Sequence, residues 1–249
     1  MANDAQRKVA LDRIRQNIAE HGHHVYVVSG GGDPRYAYTI GLSESLGTEL
    51  ILAGACFYLL DDIPKIINSI ATKLTPQVDW TKVKFDVESF GVFSLRKVHM
   101  SWATTLMLGA LDFYQVREIP ALPIVPDEAH WTIDVPDMTA PWSAITAPVW
   151  RGLHEPWAYP VPANSVAVTN LGALRGERVT EAVRWEEDEW ELFAGAGPDV
   201  PKEERRVVPL GVLLAADESL VPVVSLSIGS GLWRDAVSEW HPWRAGGTG

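Results

Sequence analysis

The chain has one cysteine in 249 residues, no cluster of lysine and arginine, and no long apolar run. A single thiol, Cys56, has no internal partner, which excludes a disulfide framework. No uninterrupted apolar stretch reaches the roughly 18 residues that a membrane-spanning helix needs. No apolar segment follows the first basic residues as a secretory signal would. The expectation is a cytoplasmic protein with no membrane association. Basic residues are also in deficit, 21 Lys and Arg against 32 Asp and Glu, for a formal net charge of −11. Duplex nucleic acid demands a basic face, so no nucleic-acid partner is expected. A protein partner or a small molecule remains compatible with that charge.

What the chain does have is apolar residues, 47% of the total, enough for a sizeable core. It also has eleven tryptophans, most of them after residue 130. These fill a core or make a binding face. Residues 5–21 carry a helical stripe of Ala10, Leu11, Ile14 and Ile18, stopped by Gly22. Residues 25–28 and 35–40 read as strands of a hairpin around the turn at 29–34. A third strand is expected at 49–53. An amphipathic helix follows, marked by Leu59, Ile63, Ile66, Ile67, Ile70 and Leu74, with Pro64 in its first turn. Residues 83–87 and 93–95 alternate as two more strands, and one helix is expected from about Ser101 through Tyr114. The Pro- and Trp-rich stretch 120–148 has no helical period and reads as short extended pieces. Beyond Trp150 the pattern gives a strand at 165–169 and a hairpin from 178–185 and 189–193. Two short helical turns flank Asp217, and a tail at 233–243 alternates aromatic and charged residues.

Several groups invite a chemical reading. His21, His23 and His24 stand close enough for a metal, but adjacent strand residues face opposite ways, so no metal is assigned. Gly30-Gly31-Gly32 is followed by Asp33-Pro34 and a strand, where a phosphate loop requires a helix. Gly41-Leu42-Ser43-Glu44-Ser45 lacks the final glycine of a nucleophile elbow. Cys56 has apolar neighbours and reads as a buried, inert thiol. His154-Glu155-Pro156 cannot be a zinc-protease motif, because proline bars the helix. The acidic turn Trp185-Glu186-Glu187-Asp188-Glu189-Trp190 would suit a basic partner surface.

The run Ala37-Tyr38-Thr39-Ile40-Gly41-Leu42-Ser43-Glu44, then Glu49-Leu50-Ile51, Ile124-Val125-Pro126-Asp127 and Pro141-Trp142, resembles the bacterial domain-of-unknown-function family 4262 over residues 5–145. His24 stands as the family histidine, His23 replaces a tryptophan, and Thr48-Glu49-Leu50 replaces Pro-Glu-Leu. The resemblance implies no chemistry. Ala167-Val168-Thr169, Val183-Arg184-Trp185, residues 188–193 and Trp233-Arg234 more distantly resemble small immunity-type domains, which implies surface contact with a partner.

These readings give an α+β fold of two small mixed domains, 1–148 and 149–249, each a short, mostly antiparallel sheet packed with helices. The leading functional expectation is an accessory or immunity-like binding protein. Its partner surface would be Trp185, Glu186, Glu187, Asp188 and Trp190. The alternative is an enzyme with a pocket at the end of the Tyr38 strand. There His24 would be general acid/base, Glu44 its partner, and Tyr38, Thr39, Ser43, His99 and Trp142 the ligand contacts. The residues name no cofactor.

Overall fold

The computed structural model describes residues 4–235 and 239–244. Its first half comprises α1 (Asp4–His21), β1 (His24–Val28), β2 (Tyr36–Ile40), α2 (Leu42–Leu46), β3 (Glu49–Ala53), α3 (Ile63–Ala71), β4 (Lys84–Val87), β5 (Gly91–Leu95), α4 (Met100–Leu106), α5 (Leu108–Tyr114) and β6 (Ala121–Pro126). The strands form one sheet in the order β1-β2-β3-β6-β5-β4. The β1–β2 hairpin runs from His24 opposite Ile40 to Val28 opposite Tyr36. β3 and β6 are parallel, and every other pair is antiparallel.

Strand alternation explains the layers. Ala37, Leu50, Leu52, Phe93 and Leu122 meet Ile63, Ile66, Ile67 and Ile70 of α3. Tyr38, Ile40, Ile51 and Ala121 face the opposite way, onto Ile14 of α1, Trp102 and Leu106 of α4, and Trp150. Both faces are therefore covered, and every residue of β3 and β6 is buried.

The second half contains β7 (Val166–Asn170), α6 (Leu171–Leu174), β8 (Glu181–Arg184), β9 (Glu189–Phe193), β10 (Arg205–Pro209), α7 (Leu210–Ala216), β11 (Ser230–Trp233) and β12 (His241–Arg244). The sheet order is β10-β7-β9-β8-β11-β12, with β7 and β9 parallel and the rest antiparallel. Its inner face presents Ala167, Ala182, Trp190 and Leu192 to the same apolar cluster that holds Tyr38 and Trp102. One core thus runs through the connection at Trp150, whose indole Nε1 donates to the Asp134 carbonyl at 2.9 Å. The outer face is open at its edges and hairpin tip, where Val207 is 67% exposed, Trp233 49% and Trp185 43%, while Val183 and Phe193 are buried on it.

The α+β class expected from the sequence holds, as two six-stranded mixed sheets with helices. Three local expectations change. The helix beginning near Ser101 is two helices, because Met107 leaves helical geometry at φ −97°, ψ 38°. Leu42–Leu46, overlapping the stretch that the sequence gives as an incomplete nucleophile elbow, form the short helix α2. Within 120–148 lies a full central strand, β6, in spite of Pro123 and Pro126. Pro123 is the last residue opposite β3 and Pro126 pairs at the far end of the β5 ladder. Each proline thus falls where a ladder stops needing its N–H. No described helix is long and apolar enough to cross a membrane.

Candidate functional site

The end of β3 sets up the site. Gly54 and Ala55 both have left-handed backbones, φ 70° and 60°. A side chain at Gly54 would lie 2.1 Å from the Asp134 carbonyl oxygen, so only glycine fits. Ala55 in that region carries strain of about 1 kcal/mol. The bend aims the Cys56 N–H at the buried Asp134 carboxylate, 3.2 Å from Oδ2, and Thr132 Oγ1 donates to Oδ1 at 2.6 Å. Burial pushes the Cys56 thiol well up, Asp134 adds to the rise, and Arg35 and Thr132 oppose it. Cys56 is therefore held mainly as the thiol, with its thiolate scarce at neutral pH.

Arg35 enters from the loop before β2. Its Nη2 donates to the carbonyls of Ala55, at 2.7 Å, and Tyr58. Its Nε is buried without a partner. Arg206, on β10, donates from Nε to the Phe57 carbonyl at 2.8 Å and from Nη1 to Glu203 and Arg205 carbonyls. Arg205 binds the carbonyls of Val200 and Gly197. Among the described residues none of the three arginines has an ion pair; the carboxylate bridges lie elsewhere. Burial pulls Arg35 below the ordinary arginine value, and burial together with Arg35 does the same to Arg206. These arginines, Cys56, Tyr58 and Asp134 line a cavity of about 410 Å³ between the sheets, with walls of Leu59, Leu60, Val166 and Val212.

A second cavity of about 280 Å³ is lined by Gly32, Arg151, Glu155, Trp157 and Tyr159. Asp33 lines both cavities, and burial raises its carboxyl. Of the glycine run between them only Gly32 is packed: a Cβ there would stand 2.4 Å from the Ala163 carbonyl oxygen, whereas one on Gly30 or Gly31 would meet nothing within 4 Å.

The residues singled out from the sequence lie elsewhere. His24 Nδ1 is 2.7 Å from Asn17 Nδ2, and its ring edges onto Tyr26. His23 Nε2 is 2.9 Å from Asn68 Oδ1. His24 lines open grooves against α1, and Glu44 is exposed on α2 and lines neither groove. Tyr38 is buried, stacked between Tyr26 and Tyr36, and accepts from Gly109 N at 3.0 Å. His99 caps α4, its Nδ1 accepting from Ser101 N at 3.2 Å. Ser101 Oγ accepts from Trp142 N at 2.8 Å, so His99 and Trp142 share one neighbourhood. Tyr38, Thr39, Ser43, Glu44, His99 and Trp142 line neither cavity and neither of the grooves at His24. Among the described residues no three His, Cys, Asp or Glu side chains are grouped to hold a metal.

Thr39 and Ser43 instead serve a residue that sequence reasoning passed over. Glu49 is fully buried and accepts from Thr39 Oγ1 at 2.5 Å, Ser43 N at 2.9 Å, Gly41 N at 3.1 Å and Tyr114 OH at 2.7 Å. Its position inside the Thr-Glu-Leu motif was the available signal. A second missed pair is His130 and Asp127, 2.5 Å apart, with His130 stacked on Tyr58. In the second half the acidic hairpin tip stands free. Glu186 and Glu187 are exposed, Trp190 is buried, and Trp185 is turned outward. Arg184 lies over the Trp190 ring and donates to the Glu186 and Glu187 carbonyls.

Residues 17–131 match the family model described as "Domain of unknown function (DUF4262)". The match covers β1 through β6 and no part of the second sheet. No curated protein matches the chain, and no solved structure does.

Proposed function

We propose, taking residues 17–131 as a domain of that family, that the chain is a binding protein for a small organic ligand. The ligand sits where this domain meets the second sheet. One observation carries the reading: the cavity of about 410 Å³ draws its walls from both halves, with Arg35 and Cys56 on one side and Val166, Arg206 and Val212 on the other. Its size falls within the range of ordinary ligand sites. Enzymatic use of His24 and Glu44 gains no support from their positions, since no contact joins them. The test is a thermal-shift screen of small organic compounds on the wild type and on Leu60→Trp, which narrows the cavity from its exposed wall. Compounds that raise the wild-type melting temperature should lose that effect in the variant. Shifts unchanged in Leu60→Trp, or no shifts at all, overturn the reading.

A second reading, partner contact in an accessory or immunity-like role, is favoured by the outward-facing Trp185 beside the acidic tip. A lysine-rich peptide should bind, and Glu186→Lys with Glu187→Lys should abolish that binding. Binding that survives the double reversal removes this reading.

A further inference from the structure

We propose that the cavity between the sheets takes an organic anion, a carboxylate or phosphate ester on an apolar body, with Arg35 as its anchor. The inference rests on the binding reading above and names the ligand class.

A guanidinium offers five N–H donors in a fixed fork. Arg35 commits Nη2 to two backbone carbonyls, and its Nε is enclosed with nothing to donate to. An enclosed unmet donor on a charged group is expensive, and a bound acceptor removes that penalty. The charge balance points the same way. Three arginines line one cavity in a chain whose net charge is −11, and the hydrogen bonds they make there go to backbone carbonyls alone. Of the two acids on the lining, Asp134 is occupied by the Cys56 N–H and the Thr132 hydroxyl. The other, Asp33, has its carboxyl pushed towards the neutral form by burial. Three guanidiniums against two carboxylates leave the lining net positive, and forked donors suit a planar carboxylate or a phosphate. Leu59, Leu60, Val166 and Val212 supply contact for an apolar body.

Four probes with one ring system separate the possibilities: naphthoate, naphthyl phosphate, naphthylmethanol and naphthylmethylamine, each titrated calorimetrically into the full chain. Cys56 is the chain's single thiol and lines the cavity, so its slow labelling by the neutral reagent methyl methanethiosulfonate at alkaline pH, where the thiolate fraction grows, reports where a probe sits. The better anion should bind at least about tenfold more tightly than the alcohol, with the amine weakest, and should slow Cys56 labelling. Which anion binds better distinguishes carboxylate from phosphate. Arg35→Gln should bring the anion-to-alcohol ratio near one while leaving the alcohol's affinity within about twofold. If Arg35→Gln does not fold, Arg206→Gln should lower the same ratio severalfold. An alcohol that binds as well as the anions and protects Cys56 overturns the anion class and leaves the binding reading standing. Anion preference without Cys56 protection places the anion elsewhere and overturns the inference, as does failure of all four probes to bind. The binding reading stands or falls on its own screen.

Discussion

The two sheets have equal strand number and one parallel pair each, yet one is closed and the other open. In the first, β3 and β6 are buried on both faces, and their sequences, Glu-Leu-Ile-Leu-Ala and Ala-Leu-Pro-Ile-Val-Pro, are nearly continuous apolar runs. In the second, the parallel pair alternates: Ala167 and Thr169 are buried while Val166 and Val168 are only half-buried. A parallel pair therefore does not require two covering layers. What it requires is one good core, and here Trp150 supplies the link to it. Stability should reside on the closed side and at the seam, leaving the open face free to vary.

The sharpest way to break that contrast is at the seam. Trp150→Ala removes a fully buried indole that edges onto Trp102 and bonds the Asp134 carbonyl, and should cost about 3–5 kcal/mol in urea denaturation. Glu49→Ala, on the closed side, strands Thr39 Oγ1, Ser43 N and Tyr114 OH and should cost about 3 kcal/mol. Glu191→Ala, on the open face, should change stability by no more than about 0.5 kcal/mol. Equal losses at Glu49 and Glu191 would erase the distinction.

A weaker effect should appear as a slope with pH. Burial, with Arg13 and His23, holds His24 below its ordinary value of 6.5. Between that value and the lower folded one, the unfolded chain binds more protons, so stability falls as pH drops below 6.5. His24→Gln should flatten that stretch of a melting-temperature profile, and an unchanged profile would assign the slope to other groups. Smallest of all, Val207→Thr on the exposed edge strand should move the melting point little, within about 0.5 kcal/mol.

Much of this architecture was legible beforehand. The β1–β2 hairpin, β3, α3 and the β8–β9 hairpin all follow from periodicity and turn residues, because each is stabilised mainly by its own pattern. The turns flanking Asp217 were legible for the same reason and are present as α7 and a 3₁₀ segment over Glu218–Ser225. What escaped depends on distant partners. α2 exists because Glu49, several residues further on, accepts from Gly41 N and Ser43 N. β6 tolerates two prolines only because its two ladders end where they fall. β10 carries no alternation that predicts it, and it pairs antiparallel with β7, more than thirty residues earlier. The cavity was illegible for a stronger version of that reason: Arg35 and Arg206 are brought together by the docking of two sheets, which no local spacing records. Cys56 was read as a buried thiol, and its raised pKa agrees, but its place on a cavity wall depends on Asp134.

The shared cluster around Trp150 has a thermodynamic corollary. Residues from α1, α4, β2, β7, β9 and α7 belong to one connected cluster, so neither sheet can melt and leave the other's inner face dry. Heating should give one calorimetric transition whose van't Hoff and calorimetric enthalpies agree. Residues 17–131 expressed alone should expose Tyr38 and Ile51 to solvent and bind a hydrophobic dye.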